Sequence, residues 1–224
     1  MNENFDFLKN PFHGLKQDDV PQIQDRCKEI AENLFNNYCI KCGDTIFRFA
    51  EIEFYYYKKK ESCENNFDST WNLETYPRNK KAGDFFFHYS GVDICFQCDF
   101  EEIEKKDEYG EFGGILIRSL RRGDKILAGP LFCANTLLNT CNKEMPELKT
   151  IDCQKHTLDT TTRCGISTDN NQEQEKKLYL CYYATHVEDV ELKWDNVSER
   201  ISWDKTQHRF KKSYRNYKKE RFDE

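Results

Sequence analysis

The residues of this chain best equipped for chemistry are two carboxylates set among aromatic rings. The run Ile46-Phe47-Arg48-Phe49-Ala50-Glu51-Ile52-Glu53-Phe54-Tyr55-Tyr56-Tyr57 predicts a strand. Strict period-two alternation puts Phe47, Phe49, Glu51, Glu53, Tyr55 and Tyr57 on one face. Ile46, Arg48, Ala50, Ile52, Phe54 and Tyr56 fall on the other, which reads as the core side. A carboxylate held between rings loses hydration and keeps its proton more tightly, and a second carboxylate on the same face acts in the same sense. Such a group can work as a general base. The same spacing also suits an exposed strand whose glutamates blunt an edge.

Other constellations are weaker. Cys39-Ile40-Lys41-Cys42 and Cys95-Phe96-Gln97-Cys98 have the spacing of two zinc half-sites, but a compact zinc ribbon separates its halves by far fewer residues. Cys95 sits in an apolar run, where a thiol packs as a small hydrophobe. The histidines His13, His88, His156, His186 and His208 show no ligand spacing, so no metal is expected. Gly-x-Ser-x-Gly is absent, and Gly113-Gly114 is too short to cradle a phosphate. What remains is a carboxylate and a cation, enough to activate a water without any cofactor.

These residues need a scaffold, and 224 residues suffice for one domain with a full core. The chain carries a net charge of −6, so attraction to a polyanion must come from local basic surface. One such stretch is Lys205 to Glu224, with eight Lys or Arg interleaved with Phe210, Tyr214, Tyr217 and Phe222. There is no apolar run long enough for a membrane span, and the polar amino terminus lacks the pattern of a signal peptide. With an odd count of eleven cysteines, this predicts a soluble, cytoplasmic protein with reduced thiols.

Residues 1–17 read as an amino-terminal arm, 18–203 as the domain, and 204–224 as a basic aromatic tail or helix. A helix is expected from Asp18 or Asp19, with Ile23, Cys27, Ile30, Ala31, Leu34, Phe35 and Tyr38 on one stripe and a stop near Gly43. The carboxylate strand follows, and then a polar loop from Lys58 to about Asp84. A strand over Phe85–Phe96 is expected to carry a bulge or a point of close approach at Gly91. Gly113–Arg118 reads as a short apolar strand, Gly129-Pro130 as a helix start, and Leu178–Thr185 as a last strand. Residues 139–177 look loop-rich apart from Thr161–Ile166. Without regular βαβ alternation, the class is α+β, with a curved, mainly antiparallel sheet and a few flanking helices.

The order of these segments resembles the DNA-3-methyladenine glycosylases of the alkyladenine type. Those proteins carry Glu-x-Glu-Ala-Tyr, a Tyr-Gly strand, a Val-Leu-Leu/Ile-Arg strand, Gly-Pro-x-x-Leu-Cys and Arg-x-Gly-Val/Ile. Here the corresponding blocks are Glu51-Ile52-Glu53-Phe54-Tyr55, the strand containing Gly91, Ile115-Leu116-Ile117-Arg118, Gly129-Pro130 with Cys133, and Arg163-Cys164-Gly165-Ile166. The resemblance covers about residues 20–185. It implies a metal-free enzyme of base excision repair that binds DNA and hydrolyses the N-glycosidic bond of a damaged purine.

By that resemblance Glu53 is the general base, Arg118 holds the water, and Tyr55 and Phe87 sandwich the base. A main-chain carbonyl near Arg163 or Cys164 contacts the same base. The DNA wedge falls on Tyr89 or Ser90. Ser90 stands where the family has its wedge Tyr, and a serine is too small to fill the gap left by a flipped base. The family's pocket His has no counterpart between Lys58 and Asp84. A non-catalytic relative that binds a nucleotide, a single strand or a protein in an aromatic cleft is the alternative.

Overall fold

The computed structural model describes residues 5–15, 19–59, 64–66, 80–98, 111–123, 125–142, 144–161, 180–188 and 190–192. Helix α1 spans Val20–Asn37, with Asp19 at its N-cap and a proline in its first turn. Ile23, Cys27, Ile30, Ala31, Leu34 and Phe35 form its buried stripe. It stops before the expected Gly43 turn, because Asn36-Asn37 are weak helix formers and Tyr38-Cys39-Ile40 suit a half-buried pleat. Tyr38–Cys42 is strand β1, which folds back on β2, Thr45–Lys59, through a turn where Gly43 has φ +57°.

β2 is the hub of one curved antiparallel sheet. The remaining strands are β3 (Glu64–Asn66), β4 (Phe85–His88), β5 (Gly91–Cys95), β6 (Glu111–Arg122), β7 (Lys125–Ala128), β8 (Glu147–Thr150), β9 (His156–Thr161), β10 (Cys181–Val187) and β11 (Val190–Glu191). The main path runs β11-β10-β2-β6-β5-β4, with β1 and β3 also on β2, β7 on β6, β8 on β1 and β9 on β10. A second helix, α2, spans Pro130–Cys141 behind Gly129. The architecture is a single α+β domain, as its mixed helices and strands without regular βαβ alternation predict.

Strict alternation fails in the middle of β2, and the failure shapes the site. Pairing with β6 runs through Arg48–Arg121 and Phe49–Leu120, shifts at Glu51–Ser119, and resumes at Ile52–Ile117. Such an irregularity changes which residues face inward. Before it, Phe47 and Phe49 are buried, and the Phe49 ring lies 6.1 Å from that of Phe35 in α1. After it, Ile52, Phe54 and Tyr56 take the core side, with Phe54 5.6 Å from Tyr182. Tyr182 in turn donates its hydroxyl to the Gln24 carbonyl of α1 at 3.0 Å. Phe47 and Phe49 therefore do not share a face with Glu51 and Glu53. Ile115, Ile117 and Leu120 of β6 make the same switch, since all three belong to the core.

Other expectations are corrected. Phe85–Phe96 is a hairpin of β4 and β5 turning at Tyr89-Ser90, not one strand bulged at Gly91. Gly91 allows close packing there, since a Cβ would come within 2.9 Å of Leu116 Cδ1 and 3.0 Å of Pro130 Cβ. The stretch read as loop-rich contains β8 and β9. Of the expected amino-terminal arm, residues 5–15 are described, and they are docked, with Leu8 and Phe12 in the core and the Phe12 ring 4.6 Å from Tyr56. Two apolar side chains suffice to anchor a segment that has no periodicity. Cys42 and Cys141 form a disulfide between β1 and α2, contrary to the expectation of reduced thiols. Their 99-residue separation hides that pairing from local spacing.

Candidate functional site

Glu53, Glu51 and Arg118 meet on the sheet face opposite α1. Glu53 is 0% exposed, Glu51 4% and Arg118 2%. Arg118 Nη1 lies 2.6 Å from Glu53 Oε2, and its Nε lies 3.4 Å from Glu51 Oε1. The Tyr55 hydroxyl donates to Glu53 Oε2 at 2.9 Å, so Arg118 and Tyr55 grip the same oxygen. Ser119 Oγ donates to Glu51 Oε2 at 2.9 Å, and the Cys181 thiol reaches Glu51 Oε1 at 3.5 Å. The register shift makes this possible, because it turns the consecutive residues Arg118 and Ser119 toward one carboxylate. Desolvated charges are tolerated only with this density of partners.

The site extends across the sheet. Glu53 opposes Leu116 of β6 and Cys181 of β10, Leu116 opposes Asp93 of β5, and Asp93 opposes Phe86 of β4. Directly opposed residues share a face. Phe86, Asp93, Leu116, Glu53 and Cys181 thus form one transverse row. Buried Asp93 has its Oδ1 3.4 Å from His88 Nε2, and His88 Nδ1 is 2.9 Å from Ser90 Oγ. The Phe86 and His88 rings stack with centroids 5.9 Å apart.

Among the residues expected at the site, Glu53, Arg118 and Tyr55 converge. Phe87 does not, since it opposes Val92 and packs against the core on the other face. Its neighbour Phe86 occupies the carboxylate side. Tyr89 stands at the hairpin tip, 82% exposed, while Ser90 is turned back onto His88. Cys164 and Arg163 lie outside the described residues, as do residues 204–224. Sequence reading missed Asp93, His88, Ser119 and Cys181. Asp93 alone left a signal, as an acid within the apolar run Val92-Asp93-Ile94-Cys95. Glu51, to which the resemblance gives no role, shares Arg118 with Glu53.

Cys42 is committed to Cys141, which removes one thiolate from the first of the zinc-like pairs, and Cys95 and Cys98 are buried. Among the described residues, no group of three or more His, Cys, Asp or Glu side chains is arranged to hold a metal. No helix among them is long and apolar enough to cross a membrane. Neither family models nor curated proteins give a match to this sequence.

Proposed function

We propose that the chain is a divergent glycosylase-like enzyme that hydrolyses the N-glycosidic bond of a damaged or modified purine, with Glu53 activating the attacking water. The observation that carries this reading is the joint hold of Arg118 and Tyr55 on Glu53 Oε2. The grip fixes the carboxylate plane against which a water would be activated. Glycosidic cleavage of a purine develops positive charge at the sugar, and a fixed carboxylate in a dry setting stabilises that charge more than one in water. Between reactions Arg118 is the cation that Glu51 and Glu53 share. In this reading Tyr55 borders the base, Phe86 takes the place expected of Phe87, and Tyr89 is the residue able to enter a duplex as the base leaves it.

A second reading rests on a different feature of the same groups. Glu51, Glu53, Arg118, Ser119, Cys181 and Tyr55 contact one another, which suits a structural network beneath a binding surface. On that reading the chain binds a nucleotide, a single strand or a protein without chemistry. Incubating the protein with oligonucleotides bearing alkylated or deaminated purines separates the two. Released base, followed by strand scission at the abasic product, supports the enzyme. Saturable binding with no base released from any lesion rejects the enzyme and supports the binder.

A further inference from the structure

Away from the carboxylates, β2 and β6 set two arginines side by side. Arg48 and Arg121 are directly opposed in the ladder, a placement in which like charges destabilise a sheet. Both are half-buried, and neither belongs to an ion pair among the described residues. Their hydrogen bonds go to neutral acceptors. Arg48 Nη1 and Nη2 reach the carbonyls of Tyr38 and Asp152 at 3.5 and 3.3 Å, and Arg121 Nη1 and Nη2 reach the Gly123 carbonyl at 3.2 Å and Gln154 Oε1 at 2.9 Å. Arg121 Nε is buried with no hydrogen-bond partner among the described residues.

The surroundings do not neutralise the pair. Burial lowers the basicity of both guanidiniums, and Arg48 lowers that of Arg121 further. Asp152, Cys39 and Cys153 oppose this effect at Arg48, but Asp152 is itself solvent-exposed. His156 is held neutral, with its Nδ1 hydrogen donated to the Gln154 carbonyl at 2.7 Å, so it adds no charge. Two directly opposed cations, short of acidic partners, are the equipment of an oxyanion site. Guanidinium forks match phosphate oxygens in pairs, which an ammonium does not.

We propose that Arg48 and Arg121 form a phosphate-binding site that takes the oxyanion of a phosphomonoester or phosphodiester between their guanidinium groups. Bound phosphate supplies the missing countercharge. Arg48 precedes Glu53 by five residues on β2, about 16 Å at the rise of a strand. An oligonucleotide can span that distance, whereas the phosphate of a nucleotide whose base sits at Glu53 cannot. The site does not depend on the glycosidic reading, since Glu53→Gln is expected to leave phosphate binding unchanged even where it abolishes base release.

The test titrates inorganic phosphate into protein carrying isotope-labelled arginine and follows the Nε–H resonances. Those of Arg48 and Arg121 are expected to shift saturably, while exposed Arg122 stays still and chloride at matched ionic strength moves none of them. Arg48→Gln and Arg121→Gln should each weaken phosphate binding by about tenfold or more, as loss of a charged hydrogen bond implies. Arg121→Lys should recover only part of it. A base-free deoxyribose-phosphate oligomer distinguishes the sources. If it binds far more tightly than phosphate, with a salt dependence reduced by about one ion in each variant, the site serves a nucleic-acid backbone. If it binds no better than phosphate, the site serves a small phosphorylated molecule. Wild-type resonances that do not respond to phosphate overturn the proposal, and this readout needs no variant to fold. Unchanged binding in both well-folded variants overturns it equally.

Discussion

At the scale of residues, the site is a balance of desolvated charges. Glu51 and Glu53 share one guanidinium, and each has further donors in Ser119 and Cys181 or in Tyr55. Removing the cation strands two carboxylates in the interior. Arg118→Met should therefore lower folding stability by about 3–5 kcal/mol, measured by urea denaturation. A loss below about 1 kcal/mol would mean that water already reaches these carboxylates. The residue types of this cluster were legible in the sequence as Glu-x-Glu and as an apolar strand ending in Arg118. Ser119 and Cys181 were not, because neither residue type marks itself and only the fold brings position 181 beside position 51.

At the scale of elements, β2 and β6 carry the site through their shared irregularity. Alternation identified the strand and the side on which Ile52, Phe54 and Tyr56 lie. It misplaced Phe47 and Phe49, because a change of register is a property of a strand pair and leaves no mark on one strand's pattern. The β4–β5 hairpin was hidden similarly, since its two-residue turn lacks the Asn-Gly or Asp-Gly signature. The closeness of β2 and β6 beyond the shift is itself testable. A Cβ at Gly113 would lie 2.5 Å from the Tyr55 main-chain oxygen and 3.0 Å from the Phe96 and Tyr56 rings. Backbone cannot retreat as a flexible side chain does, so Gly113→Ala should cost roughly 1–3 kcal/mol in thermal or chemical denaturation. It should also weaken whatever Tyr55 contributes at Glu53. An Ala variant as stable as wild type would show that the two strands are further apart here.

At the scale of the whole molecule, two features couple distant parts. The Cys42–Cys141 bond ties β1 to the end of α2 across 99 residues. Closing so long a loop limits the unfolded chain, so Cys42→Ser should destabilise by about 2–4 kcal/mol in oxidised protein and match reduced wild type. Equal stability of oxidised wild type and the variant would contradict it. The second coupling is electrostatic. Burial lowers the pKa of His156 to about 4; its bond to the Gln154 carbonyl opposes this, and Arg121 and Arg48 push further down. Above about pH 6.5 the imidazole is neutral folded and unfolded, and adds no pH dependence. Between there and about pH 4 only the unfolded chain takes the proton. Stability should thus fall on acidification by up to ~1.4 kcal/mol per pH unit, and His156→Gln should flatten that slope. An unchanged slope in the variant would place the titration elsewhere.

On the proposed function, Glu53 activates the attacking water. Single-turnover release of a damaged purine, comparing wild type with Glu53→Gln, tests it most directly. The substitution is isosteric, so Tyr55 and Arg118 keep a partner of the same shape, and a stability measurement confirms the fold. The rate of base release should fall by at least ~100-fold, as for loss of a positioned general base, with substrate affinity little changed. Base release by Glu53→Gln at the wild-type rate would contradict it.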